Sequence, residues 1–225
     1  RKRYSVEAGW FLDRRGSENT AQFVGASVVD SLSTPVATGF AYTRVPSGAY
    51  DGHLAHLALA FPIGDGMYLG ATGKYLTLDG PEEVQAGTVD AGLIWELTRY
   101  LALGASGYNL VSVGHDAVAP MGAGAGVTIG SEQSFQVTGE WRADFDRSAD
   151  GGTKNRYGAG AEYLVARTVA LRAGWQRDEV LDTDWWSAGV GIFRGRVALD
   201  AGYRQSLDDA TSRQLGLSLR LFMFD

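Results

Sequence analysis

Gln214-Leu215-Gly216-Leu217-Ser218-Leu219-Arg220-Leu221 places a leucine at every second position and a polar or bare residue between. That is the period of a β-strand, whose successive side chains point to opposite faces. The same two-faced strand recurs upstream. Between Val197 and Gln205, Val197, Leu199, Ala201 and Tyr203 oppose Asp200, Gly202 and Arg204. In the strand before that, Val169, Leu171, Ala173 and Trp175 oppose Arg172, Gly174 and Gln176. The polar face carries charges and glycines that could not fill a dry core, whereas the apolar face is uncharged and ends in Trp or Tyr. Such a sheet presents its outside to lipid. A secreted β-sandwich with an apolar interior is the competing reading of the same alternation.

The pattern runs without a linker through all 225 residues, which read as a single domain over residues 1–225. The absence of cysteine excludes disulfides, zinc–thiolate sites and a thiol nucleophile. A net charge of −6 argues against nucleic acid as a partner. No uncharged run reaches the roughly 18 apolar residues that a membrane helix needs, but alternating strands escape that test. The sequence begins Arg1-Lys2-Arg3 directly before a strand, so any export signal lies outside it.

The first strand, Tyr4 to Leu12, places Tyr4, Val6, Ala8, Trp10 and Leu12 outward and Ser5, Glu7 and Gly9 inward. The second, Thr20 to Val29, is ambiguous in facing because both faces are small and mostly neutral. Counting the remaining alternations gives about 14 strands. Short connections near Ser31, Gly64, Thr98, Ser131, Ala166 and Arg194 alternate with longer ones near Arg14, Gly48, Pro81, His115, Ala149, Leu181 and Asp208. The longer ones hold acids, Asp178, Glu179, Asp182, Asp184, Asp208 and Asp209 among them. The expectation is an all-β, transmembrane, antiparallel up-and-down barrel in the bacterial outer membrane, with both termini periplasmic and lipid as its surroundings.

The last third also carries a resemblance. Gly158 to Gln176 reads G-A-G-A-E-Y-L-V-A-R-T-V-A-L-R-A-G-W-Q, followed by W-S-A-G-V-G-I, V-A-L-D-A-G-Y-R-Q-S-L and Q-L-G-L-S-L-R-L. This resembles the C-terminal strands of PorV-type barrels, a branch of the broad FadL-like outer-membrane family, and Gly107-Tyr108-Asn109-Leu110 fits their middle. The resemblance implies a 14-stranded barrel that either passes hydrophobic compounds or partners large secretion and surface machines. No plug segment precedes the first strand in this sequence, a departure that points away from FadL-type uptake. A second departure is the terminus Phe222-Met223-Phe224-Asp225, where an acid follows the final aromatic.

The inward rows collect Glu7, Lys74, Asp90, Glu96, Glu140, Arg142, Asp144, Arg156, Glu162, Arg172, Asp200, Arg204 and Arg220. Opposite signs on neighbouring strands predict salt-bridge ladders along the lumen wall. The alternative role for these charges is a selectivity ring in an open pore. The glycines of the eighth strand mark curvature or a close approach. His53 and His56, three apart on one strand, fall on opposite faces and cannot share a metal. His115 beside Asp116 lies in an outer loop with no nucleophile fixed next to it. Trp185 and Trp186, read as the outer rim of a strand, are candidates for a partner contact.

The sequence therefore points to a non-enzymatic barrel without a cofactor. On the resemblance, it is expected to serve as a structural or partner subunit among other envelope proteins, in a secretion- or motility-type assembly. The alternative is a passive pore for small solutes, or a channel for hydrophobic compounds. A hydrophobic channel would need a lateral opening, for which the second and eighth strands are the candidates.

Overall fold

The computed structural model describes residues 4–16, 19–47, 50–80, 83–112, 119–145 and 152–224. His115 and Asp116 lie outside the described residues. The chain forms β1 (Tyr4–Arg15), β2 (Asn19–Asp30), β3 (Ala37–Ser47), β4 (Tyr50–Gly64), β5 (Met67–Asp79), β6 (Val84–Thr98) and β7 (Leu101–Tyr108). These are followed by β8 (Gly122–Gly130), β9 (Phe135–Asp144), β10 (Lys154–Val165), β11 (Val169–Asp178), β12 (Thr183–Arg194), β13 (Val197–Ser206) and β14 (Arg213–Phe224). Each strand pairs antiparallel with its sequence neighbours, and β14 returns to β1, so the sheet is a closed up-and-down barrel. Closure gives every strand a partner on both sides, the condition for β-structure inside a bilayer.

Register carries the period-two pattern around the ring. Glu7 stands opposite Arg220 and Ser27, Arg172 opposite Glu162 and Gly189, and Arg142 opposite Arg156 and Gly124. All of these share the inner face. The outer face carries the large apolar side chains, half of each left uncovered: Leu57 is 56% exposed, Leu171 48% and Leu217 48%. In contrast, Asp144 is 0% exposed and Asp178 5%. Charges inside and bare hydrocarbon outside invert the arrangement of a water-soluble protein, and the inversion rejects the secreted-sandwich reading.

The facing of β2 is resolved by its register. Ser27, Gly25 and Phe23 oppose Glu7, Gly9 and Phe11 and are therefore inward. Beyond Val24↔Arg44, however, β2 and β3 part. Residues 19–23 of β2 hydrogen-bond only to β1, and Val45, Pro46 and Ser47 pair only with β4. Pro46 has no N–H to give a neighbouring strand, which suits it to this unzipped seam. The eighth strand, by comparison, is paired along its whole length on both sides.

Candidate functional site in the barrel lumen

Two ladders of ion pairs brace the inner wall. Toward the long connections, the Arg142 Nε–H donates to Asp144 Oδ1 at 2.9 Å, and Asp144 Oδ2 lies 3.2 Å from Arg156 Nη1. Arg156 Nε then donates to Asp178 Oδ2 at 2.9 Å. Asp178 also accepts the backbone N–H groups of Val180 and Leu181, so one carboxylate ties the ladder to the β11–β12 loop. Toward the short turns, Arg172 donates to Glu162 and to Asp200, each at 2.6 Å, and Arg220 reaches Glu7 at 2.7 Å. On the opposite wall, Lys74 is 2.7 Å from Asp90 and donates to Asn109 Oδ1 at 2.6 Å. Asn109, at φ 51°, is held there by donating its backbone N–H to Asp90 and its side-chain amide to the Pro120 carbonyl.

Of the inward charges read from the sequence, Glu96, Glu140 and Arg204 are the ones without an ion pair among the described residues. Glu96 stands at the rim, where its backbone N–H donates to the Gly66 carbonyl. Glu140 is exposed to the lumen and lies along Gly158; a Cβ there would meet its Oε1 at 2.7 Å. The Arg204 guanidinium stacks 4.3 Å above the ring of Trp185. His53 and His56 fall on opposite faces: the Tyr42 hydroxyl and His53 Nδ1 lie 2.5 Å apart outside, whereas His56 opposes Lys74 inside.

One expectation fails here. Trp185 is not an exposed rim contact but an inward residue, 3% exposed, covered by Arg204. Only Trp186 faces out, 37% exposed and tilted against Tyr203 at 5.5 Å. Adjacent residues on a strand cannot share a face, so the pair could never have acted as one surface. The glycines of β8 prove to be a close approach. The Tyr108 side chain lies over Gly122 and Gly124, and the Arg142 guanidinium stacks 4.3 Å from its ring.

Sequence reasoning missed Phe11, Tyr108, Asp13 and Asp178 as inner-wall residues. For Phe11, Asp13 and Asp178 the signal was the period itself, continued two or four residues past the assigned rows. Phe11 lies over Gly9 and Gly216 and is 51% exposed, an apolar ring left uncovered on the inner wall.

Two adjoining cavities lie along the described part of the lumen wall. One, of about 660 Å³, lies against β9–β14 and is lined by Phe11, Trp185, Arg204 and Asp200. The other, of about 700 Å³, lies against β5–β9 and is lined by Tyr108, Arg142 and Arg156. Thr138, Glu140 and Gln176 border both, which places the unpaired Glu140 carboxylate where the two spaces meet.

Fold and lumen together define an integral outer-membrane β-barrel. No protein-family profile and no curated protein matches the chain by sequence. Among solved structures, the chain is similar to the CymD monoaromatic hydrocarbon channel, with a TM-score of 0.69 at 15% identity, over 100% of this chain and 90% of that one. The Ralstonia pickettii toluene transporter TbuX gives 0.70 at 12% identity, over 99% and 90% of the two chains. Acinetobacter baumannii outer membrane protein Omp33 gives 0.63 at 13% identity, over 99% and 98%. At these identities the likeness is one of fold alone: a closed, antiparallel outer-membrane β-barrel.

Proposed function

We propose that this barrel is a channel through which small molecules cross the outer membrane. The observation that carries the reading is the inner wall itself: unpaired charged groups and an uncovered aromatic border two adjoining cavities, while the paired charges are drawn flat against the wall as ladders. A 14-stranded ring is too wide for side chains alone to fill, so that space is available for solute. The channel and transporter named among the structural neighbours favour the same reading. On this reading both termini face the periplasm, an orientation that the alternation of short turns and long loops supports.

The test is conductance of the purified barrel in planar bilayers, together with swelling of proteoliposomes in small neutral solutes. Discrete conductance steps are expected. Glu140→Gln should move permeability toward anions, because it removes the free carboxylate where the cavities meet. A folded barrel that passes neither ions nor small solutes sinks the proposal.

A specific observation favours a hydrophobic cargo as the second reading. The seam between residues 19–23 of β2 and Val45–Ser47 of β3 is the one place among the described strands where two sequential neighbours stop pairing well short of their ends without a following segment continuing the wall. Phe11 and Phe23 stand opposite each other on the inner face beside it. Toluene uptake that survives when the extracellular mouth is blocked would favour this route. The partner-subunit reading of the PorV type retains Trp186 as an outward contact. A mild-detergent native gel of the outer membrane tests it: a stoichiometric partner band supports it, and a lone barrel removes it.

A further inference from the structure

The 660 Å³ cavity has a floor of a particular kind. Gly216, Gly202 and Gly189 form a row across β14, β13 and β12, directly opposite one another in register. Gly216 is bare because Phe11 lies on it: a Cβ there would meet the ring at 2.7 Å. Gly202 has no such reason. Its φ is not in the left-handed region, and a Cβ would find nothing within 4 Å. Neither backbone conformation nor crowding requires a glycine there, so the missing side chain serves the open space above it.

At the long-connection edge of this floor stand two orphaned donors. Arg204 makes no hydrogen bond or ion pair with any described residue, and its Nε is buried without a partner. The indole N–H of Trp185 beneath it is also buried without a partner, in a residue only 3% exposed. A buried donor left without an acceptor is costly, and a guanidinium is a fixed fork that matches a carboxylate. At the other edge the Phe11 ring offers an apolar face 51% exposed.

We infer that this cavity is a binding site for a small planar aromatic carboxylate, with the ring on the glycine floor beside Phe11 and the carboxylate on Arg204. The inference rests on the channel reading and names its substrate class. It separates this lumen from one built for neutral hydrocarbon, which has no use for an unpaired cation. Arg142, Arg156, Arg172 and Arg220 each hold an acid, which leaves Arg204 as the guanidinium lining this cavity that is available to an anion.

The experiment uses the intact barrel in detergent micelles, with saturation-transfer NMR and calorimetry as binding readouts and proteoliposome flux as the transport readout. The probes are benzoate, benzyl alcohol and acetate. In the wild-type protein, benzoate should bind about tenfold more tightly than either benzyl alcohol, which lacks the charge, or acetate, which lacks the ring. Arg204→Gln should weaken benzoate about tenfold and leave benzyl alcohol within about threefold. Gly202→Val should weaken both aromatic probes by occupying the floor.

Heat-modifiable gel mobility establishes that each variant is folded, and the wild-type ranking stands as a test even if a variant does not fold. Benzoate binding no better than acetate, or equal losses of benzoate and benzyl alcohol in Arg204→Gln, overturns the inference. A barrel that conducts but does not bind benzoate overturns the inference alone. A folded barrel through which no solute passes overturns the channel reading.

Discussion

Arg172 Nη1 lies 2.6 Å from Asp200 Oδ1 although a whole strand, β12, stands between them. The reach is possible because β12 is bare at the crossing. A Cβ on Gly191 would come within 2.5 Å of Asp200 Oδ1 and 3.1 Å of Arg172 Nη1. The ladder and the glycine are one feature: a side chain at position 191 would separate β11 from β13 electrostatically as well as sterically.

Gly191→Val should therefore destabilise the barrel by roughly 1–3 kcal/mol, as other overpacked sites do. Gly73→Ala, on the outer face where a Cβ meets nothing within 4 Å, should change stability by less than about 0.5 kcal/mol. Urea unfolding in lipid bilayers measures both. Equal effects at the two glycines would show that the crossing contributes nothing.

The Tyr108–Gly124 contact makes a second prediction. Because the Tyr108 hydroxyl end occupies the volume that a side chain at 124 would need, Gly124→Val should expel the ring and release Arg142 from its stack. The loss is expected at about 1–3 kcal/mol. Adding Tyr108→Ala should recover much of it, because the clash needs both partners. Additive losses in the double variant would mean that the two residues act independently.

The strand count and nearly all inner rows were legible in the sequence because lipid outside and charge inside force an alternation that tolerates no slip. Glu162, Arg172 and Asp200 could be placed on one face from their spacing alone. What spacing could not say is which charges pair. Arg172 bypasses its register partner on β12, and Arg142 takes Asp144 on its own strand, since side-chain reach rather than register sets the ion pairs. Trp185 was misplaced for a different reason: a tryptophan doublet reads as an interfacial belt until the phase of β12 is fixed, and only one of two adjacent residues can face out. Spacing also puts Arg204 on the inner face, but its lack of an acid partner is a property of the closed ring, not of the strand pattern.

The β13–β14 loop should loosen in acid. Asp208 accepts the backbone N–H of Asp184 at 2.9 Å and the Thr183 hydroxyl at 2.7 Å, and these bonds hold its carboxyl below the usual aspartate range, the backbone bond being the larger cause. A depressed carboxylate stabilises the fold above its unfolded pKa and loses that contribution as pH falls through the folded one. The tie between this loop and the start of β12 should thus persist through mildly acidic conditions and fail only below the ordinary aspartate range. NMR titration of the Asp184 amide shift follows this directly. Asp208→Asn should remove that titration step; an Asp184 amide that titrates unchanged in the variant would assign the step to another group.

The facing of the wall can be tested at two adjacent residues of β14. Leu217 is outward and 48% exposed, and Ser218 is inward, opposite Asp200 and Gly9. A lysine near the middle of the lipid face of a barrel costs about 2–4 kcal/mol, because its charge must leave water or drag it into the bilayer. At position 218 the same lysine meets an acid and an open cavity, so Ser218→Lys should stay within about 1 kcal/mol of wild type. Folded yield in phospholipid vesicles should therefore fall for Leu217→Lys and hold for Ser218→Lys. Were the leucine face the wet one, the order would reverse: Leu217→Lys would hold and Ser218→Lys would fall. The order of the two yields thus reports on which side of the sheet the water lies.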